Sequence, residues 1–371
     1  MHFISNHKVR SDEVSSDIEQ VLEQFVAALD RKLDRAKRST NRASVTLNAH
    51  NYAQRITLAV IFLAMYKREN EVDFDADEDG WTEAFRRAEI SVQNPVIKLA
   101  WALPFLRPTL TKILQLHPVG YMNVRVVRYI NQAVDLHRSS DKRHPATGER
   151  EDRAVFKRRL IDGFIDALEE KKINHELFIG SAFFLLLAGF ETTAATATCL
   201  LWHLARNLDI QTKLRETLLN DGIDADYVLW CILETVRWHP AVPLGIGRVL
   251  GADVTTKNGL LIPKGSFVMP STYSIHHDES IWPQHDQFIP ERWRNQSKFH
   301  PAAFLGFGLG PRNCVGGKLA IHELKLIIRT ILTRYRVEAC AGTPAVYGFV
   351  SPGLIYTVPD KPVQLQFTRF D

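Results

Sequence analysis

Apolar positions recur at helical spacing near the start of the chain. Ile18, Val21, Leu22, Phe25, Val26, Leu29 and Leu33 fall on one stripe, which predicts an amphipathic helix over Asp17 to Leu33. A second apolar run, ITLAVIFLAMY, predicts a helix from about Ala49 to Lys67. Its uninterrupted part is about ten residues, half of the ~20 that a bilayer crossing needs. From Asn94 to Tyr129 the chain stays apolar, but Pro95, Pro104, Pro108 and Pro118 divide it into short pieces. The charged stretch His137 to Arg159 reads as a surface connection. Glu176 to Asn207 is the longest apolar run and carries one glutamate and several hydroxyl residues near its middle. A charge there is costly in lipid, so a long central helix buried in protein on nearly all sides explains it better. The pattern then shifts to short apolar groups with turns at Lys257-Asn258-Gly259 and Pro263-Lys264-Gly265, which predict short strands. Helical period returns in LAIHELKLIIRTIL, and the tail FVSPGLIYTVPDKPVQLQF reads as strands. The whole predicts a mainly α chain with small β-sheets.

Composition narrows the functional classes. With 371 residues, 45% hydrophobic and 24% charged, the chain can bury a large core. A net charge of +4 is too small to imply nucleic acid. The four cysteines, Cys199, Cys231, Cys314 and Cys340, are widely spaced with no CxxC pair, which reads as reduced thiols and argues against a zinc framework. The N-terminal MHFISNHKVRSDEV lacks the apolar core of a signal peptide or anchor. Asp75, Asp77, Asp79 and Gly80 match the opening of a calcium loop, but Arg86 stands where its closing glutamate is needed, so a solvated loop is expected.

Chemistry concentrates in FGLGPRNCVGG, Phe307 to Gly317. Gly308 and Gly310 permit a left-handed backbone path, and Cys314 sits where loop becomes helix, beside amides that favour a thiolate. A phosphate loop fails here, because Arg312 and Leu319 occupy positions that need glycine and a hydroxyl. Three further motifs accompany it. Ala188-Gly189-Phe190-Glu191-Thr192-Thr193 places small residues, an acid and a hydroxyl together on the long helix. Glu234 and Arg237, three apart, share a helix face. Phe288-Ile289-Pro290-Glu291-Arg292-Trp293 follows them.

The pattern F-G-x-G-x-R-x-C-x-G at Phe307 to Gly316 resembles the haem-binding loop of the cytochrome P-450 monooxygenases, eukaryotic microsomal type, and the other motifs follow in that family's order. The resemblance implies the cytochrome P-450 fold, a helical bundle around a haem, as a single domain over 1–371 that is incomplete at its N-terminus. It implies Cys314 as the axial thiolate of haem b, with backbone N–H groups around Val315 and Gly316 bonding the sulfur and Phe307 shielding the ring. Arg248 and Arg312 would reach haem propionates, for which a guanidinium is suited. Gly308 would shape the loop, and Ala188 and Gly189 would let a ligand approach the helix. Thr192 would bond dioxygen or water, and Glu191 would feed it protons. Glu234, Arg237 and Arg292 would form a buried structural triad. His276 and His277 would lie in a strand and turn. An NADPH-dependent flavoprotein reductase would supply electrons, with Lys318, Lys325 and Arg329 contributing to a basic docking face. A small lipophilic substrate and O2 would complete the reaction at the cytoplasmic face of the endoplasmic reticulum. The apolar cluster at Trp101, Phe105 and Leu106 reads as core, or else as a peripheral membrane contact.

Two features depart from the family. Its W-x-x-x-R helix has no counterpart, since Phe85 stands four residues after Trp81, and the join between Asn220 and Glu234 is short by about a dozen residues on the family pattern. The alternatives are a truncated, non-catalytic haem-binding fragment, or a haem-thiolate isomerase or dehydratase.

Overall fold

The computed structural model describes residues 12–40, 44–66, 72–76, 81–82, 126–128, 130–132, 134–135, 160–351 and 356–370. The proline-divided apolar stretch as far as Arg125, the connection over 137–159, Phe85 and Arg86 lie outside the described residues. Helix α1 spans Asp12–Thr40, strand β1 Ser44–Asn48 and helix α2 Ala49–Tyr66. The α1 stripe faces inward as its period requires: Ile18, Val21, Phe25 and Leu29 are all at most 1% exposed. Asp73 closes a turn by accepting from the amides of Asp75 and Ala76, and Asp75 pairs with Arg31 rather than opening toward a cation.

Helix α3, Leu160–Glu169, leads to the central helix α4, His175–Arg206. Asn174 caps α4 by accepting from the Leu177 amide at 2.8 Å. By length and composition α4 would pass for a membrane span. Its second half is enclosed, with Thr193 to Ala205 buried without a break, whereas Leu177 and Phe184 in the first half are more than half exposed. So the helix is a core element over one half and borders an open side over the other. Helix α2 lies along it, and α3, helix α5 (Leu208–Asn220), helix α6 (Asp226–Trp238) and helix α8 (Gly317–Arg334) complete the bundle. Residues 221–225 suffice to join α5 to α6, with Gly222 at φ 81° making the turn and Asp224 bonded by Lys325 at 2.9 Å.

Small sheets edge the bundle. Strands β2 (Arg248–Val249) and β5 (Phe267–Val268) pair antiparallel, as do β3 (Val254–Thr255) and β4 (Leu261–Ile262). Gly259 and Gly265 take φ of 84° and 85°, which explains the turns predicted there. The short helix α7, Thr272–His276, follows. The tail gives β6 (Tyr335–Ala339), the paired β7 (Phe349–Val350) and β8 (Val358–Pro359), and β9 (Gln364–Arg369). β1, β9 and β6 form one antiparallel sheet in that order, in a register that stacks Val45 and Val337 on either side of Phe367. Leu47, Val337, Leu365 and Phe367 turn one face of this sheet into the core.

Gln211 fastens this sheet to the bundle. Its side-chain amide donates to Leu204 O and Val337 O at 3.0 and 2.7 Å and accepts from Val337 N at 3.2 Å, all out of solvent. Gln211→Leu strands these buried backbone groups, so the urea unfolding free energy falls by about 1–3 kcal/mol. An unchanged midpoint would contradict this role.

Candidate functional site

Glu234 is the best-satisfied polar group beneath the cysteine loop. Both carboxylate oxygens are bound by Arg237, through Nε at 3.0 Å and Nη2 at 2.9 Å. Arg292 Nε adds a bond of 2.9 Å, Trp293 Nε1 one of 2.9 Å and the Ile289 amide one of 3.1 Å. Glu234 and Arg237 are wholly buried. The remaining guanidinium nitrogens are used as well: Arg237 reaches the carbonyls of His276 and His285, and Arg292 those of Pro283 and Gln284. A buried charge is tolerated only when its hydrogen-bonding capacity is filled, and here it is. The sequence-predicted set Glu234, Arg237 and Arg292 is thus brought together.

From this cluster the path to Cys314 runs through His276. In place of the strand expected at His276 the chain forms α7, because the Ser271 carbonyl accepts from the amide of Ile275 and closes a helical turn, while His277 lies in the turn that follows. His276 is buried, stacks on Phe304 and bridges Arg237 O at 3.1 Å and the Leu305 amide at 2.9 Å. The Leu305 N–H must donate to Nε2, so the proton sits on Nδ1. Burial pushes the imidazole down to about 3, which keeps it in this neutral form. Trp282, Trp293 and Phe304 pack around it.

The loop then turns on itself. The Cys314 amide donates to Phe307 O at 2.7 Å, with Gly308 at φ 72° and Gly310 at φ 77° making the reversals. Residues Gly310–Arg312 form one 3₁₀ turn, and α8 begins at Gly317 with Gly316 as its N-cap. A side chain at Gly317 would come within 3.1 Å of the Phe307 ring, so that ring is held against the start of the helix. The Cys314 side chain has an open face. Partial burial raises its thiol, opposed by the amides of Gly316 and Gly317, which bond the sulfur. These amides lie one residue beyond the pair expected at Val315 and Gly316, because they belong to the N-cap and first residue of α8, where N–H groups have no carbonyl four residues earlier in the helix.

On α4, Thr192 is half-buried and its hydroxyl donates to Ala188 O at 2.7 Å, leaving the oxygen as an acceptor. Glu191 is wholly buried and faces α2, where Gln54 donates to Oε2 at 2.9 Å and His50 Nε2 stands 3.0 Å from Oε1. Gly189 also faces α2: an added Cβ would lie 2.7 Å from Ile61 Cδ1. Its small size serves the close approach of the two helices. Arg248 and Arg312 are exposed, with Arg248 Nη1 donating to Ile246 O and Gly247 O. Of the basic face expected on α8, Lys318 is exposed, whereas the other two residues are taken up by acids. Lys325 is buried against Asp224, and Arg329 is paired with Glu19 at 2.7 Å. Sequence reasoning missed His50, Gln54 and His276, whose partners are distant in the chain.

Among the described residues no three His, Cys, Asp or Glu side chains gather as a metal-ion site. Cys314 offers one sulfur with two amides directed at it. One donor does not hold a bare ion, but it suits an iron already carried in a macrocycle.

The cytochrome P450 family model matches residues 1–367. The chain is 29% identical over 294 residues to cytochrome P450 3A40 of Oryzias latipes, covering 74% of this chain and 56% of that protein. It is 32% identical over 209 residues to cytochrome P450 3A12 of Canis lupus familiaris, covering 53% and 41%. It is also similar to cytochrome P450 4X1 of Homo sapiens, 26% identical over 349 residues and covering 88% and 66%. The chain spans about half the length of the curated relatives it matches.

Two outcomes follow from the cluster beneath the loop. Glu234→Gln uncovers two buried guanidinium groups and costs about 3–5 kcal/mol in chemical denaturation; a loss below about 1 kcal/mol would mean the pairing is incidental. His276 and His239 are both lowered by burial to about 3, from 6.5. The unfolded chain therefore binds protons that the folded chain does not, and stability falls as pH drops from 6.5 toward 3. Unfolding free energies across that window should show a smaller slope for His276→Gln than for the wild type.

Proposed function

Because the chain belongs to the cytochrome P450 family, we propose that it is a haem-thiolate monooxygenase that inserts one oxygen atom of O2 into a small lipophilic substrate. The observation that carries the reading is Cys314, held open on a glycine-shaped loop with two amides on its sulfur and a filled ion cluster behind it. Cys314 would bind the iron of haem b, which would supply the activation of dioxygen for insertion into the substrate.

Every other task falls to the protein. The amides of Gly316 and Gly317 moderate the charge on the sulfur, and Phe307 covers its side of the ring. Gly308 keeps the loop in register, and the exposed guanidinium groups of Arg248 and Arg312 are suited to the two propionates. Ala188 leaves room beside the helix, and the Thr192 oxygen accepts a hydrogen bond from a water that brings a proton. Glu191, one residue away, is the acid that replenishes that proton. Glu234, Arg237 and Arg292 act on structure alone. Electrons come from an NADPH-dependent flavoprotein reductase, and the site of action is the cytoplasmic face of the endoplasmic reticulum.

The carbon monoxide complex of the reduced protein should show the red-shifted Soret band of thiolate ligation, and Cys314→Ala should abolish it. Failure of the wild type to take up haem refutes the reading. In the loaded protein, Thr192→Ala should lower product formed per reductant consumed several-fold, measured as the coupling ratio. An unchanged ratio removes Thr192 from proton delivery.

A further inference from the structure

Buried between α2 and α4 is a polar chain that the motifs do not include. His50, in the first turn of α2, places Nδ1 3.2 Å from Thr198 Oγ1 and Nε2 3.0 Å from Glu191 Oε1. Thr198 has one hydroxyl hydrogen, and its oxygen lies 2.7 Å from Ala194 O, a contact that would be repulsive without that hydrogen in it. The Thr198 oxygen can therefore only accept from the ring, which puts a proton on Nδ1. A neutral imidazole has no second N–H, so Nε2 would then set a lone pair against a carboxylate at 3.0 Å. That arrangement is stable only if one more proton is shared between Nε2 and Glu191.

The surroundings leave His50 as the group that meets the charge of Glu191. Gln54 serves the other oxygen and is neutral. Among the described residues His239 feels the charge of His50 and Tyr347 that of Glu191. Burial lowers His239 to about 3 and drives Tyr347 well above the ordinary tyrosine range, so neither carries charge near neutral pH. Oε1 has no aligned hydrogen bond, and the His50 contact satisfies it by charge. The two partners differ in access: the Glu191 side chain is 0% exposed and that of His50 12%. His50 is thus where water can meet the pair.

We propose that His50 is the entry point for protons to Glu191. The step is a transfer from Nε2 to Oε1 that follows a rotation of the ring bringing the N–H into line with Oε1, which is 3.0 Å away but not yet aligned: the N–H bond breaks, the O–H bond forms, and an imidazolium–carboxylate pair becomes imidazole and carboxylic acid. Solvent then returns a proton to the ring. His50 is a positioning and supply residue that acts through Glu191, and its role rests on Glu191 being the proton source for the proposed monooxygenase.

Imidazole 15N NMR of the full chain near neutral pH tests the shared proton. The wild type should give the His50 signals of a doubly protonated ring, and Glu191→Gln should convert them to a neutral ring protonated at Nδ1. A wild-type ring already neutral, or one unchanged by Glu191→Gln, overturns the inference. His50→Gln keeps a hydrogen-bonding side chain but carries no transferable proton. In haem-loaded protein it should lower the coupling ratio several-fold and raise the solvent isotope effect, with haem content and Soret position unaltered. Normal coupling in His50→Gln, alongside impaired coupling in Thr192→Ala, defeats the inference and leaves the monooxygenase reading standing. A wild type that binds no haem defeats both.

Discussion

The carboxylate of Glu234 is the point on which the arrangement around Cys314 depends. Five donors converge on its two oxygens, from Arg237, Arg292, Trp293 and the Ile289 backbone. Residues 277–316 contain only short 3₁₀ turns besides bends and loops, so little regular structure holds this segment together. The two arginines compensate by binding the carbonyls of His276, Pro283, Gln284 and His285, which have no strand or helix partners of their own. An ion cluster thus performs here what a backbone ladder performs in a sheet. Replacing such a cluster with apolar residues can leave stability intact in other contexts. In this chain the carbonyls would lose their donors, which makes an apolar substitute a poor one.

The central helix joins two environments. Over Thr193 to Ala205 it is enclosed by helices and the β6 side of the sheet, and threonine hydroxyls bond back to carbonyls four residues earlier. Back-bonding of this kind gives each hydroxyl hydrogen an acceptor in a dry core. The acid Glu191 sits at the boundary of this region and is turned toward α2, while Thr192 is turned less completely inward. Adjacent residues on a helix point about 100° apart, so a single E-T step can address both the interior and the open side. The close approach of α2 at Gly189 is what brings Gln54 and His50 within reach of the carboxylate.

Much of this was legible in order along the chain. The α1 stripe, the extent of α2, the long α4 and the turns at Gly259 and Gly265 follow from local periodicity and φ requirements, so a single sequence contains them. The Glu234–Arg237 pair was legible because both partners share one helix. What escaped were contacts whose partners are remote: Gln211 with Val337, His276 with Leu305, His50 with Glu191. Each sits in a locally polar stretch, so the sequence offers no local signal for them. The acids that take up Lys325 and Arg329 on α8 escaped for a related reason. Helical period locates lysines on a surface, but it does not reveal that Asp224 and Glu19 from other segments will take them up.

The same geometry bears on the protonation of Cys314, the ligand proposed for the haem iron. Burial raises the thiol more than the amides of Gly316 and Gly317 lower it, so near neutral pH the sulfur keeps its proton in the ligand-free chain. The amides are therefore too weak to hold a bare thiolate, yet correctly placed to stabilise one once a cation neutralises its charge. Ligation must then expel a proton, and affinity must weaken as pH falls. The loop's reversals at Gly308 and Gly310 and its bond from the Cys314 amide to Phe307 O fix the backbone on which the sulfur is carried. The Glu234 cluster, with Arg237, Arg292 and Trp293 bound to it, lies in the segment that leads into this loop.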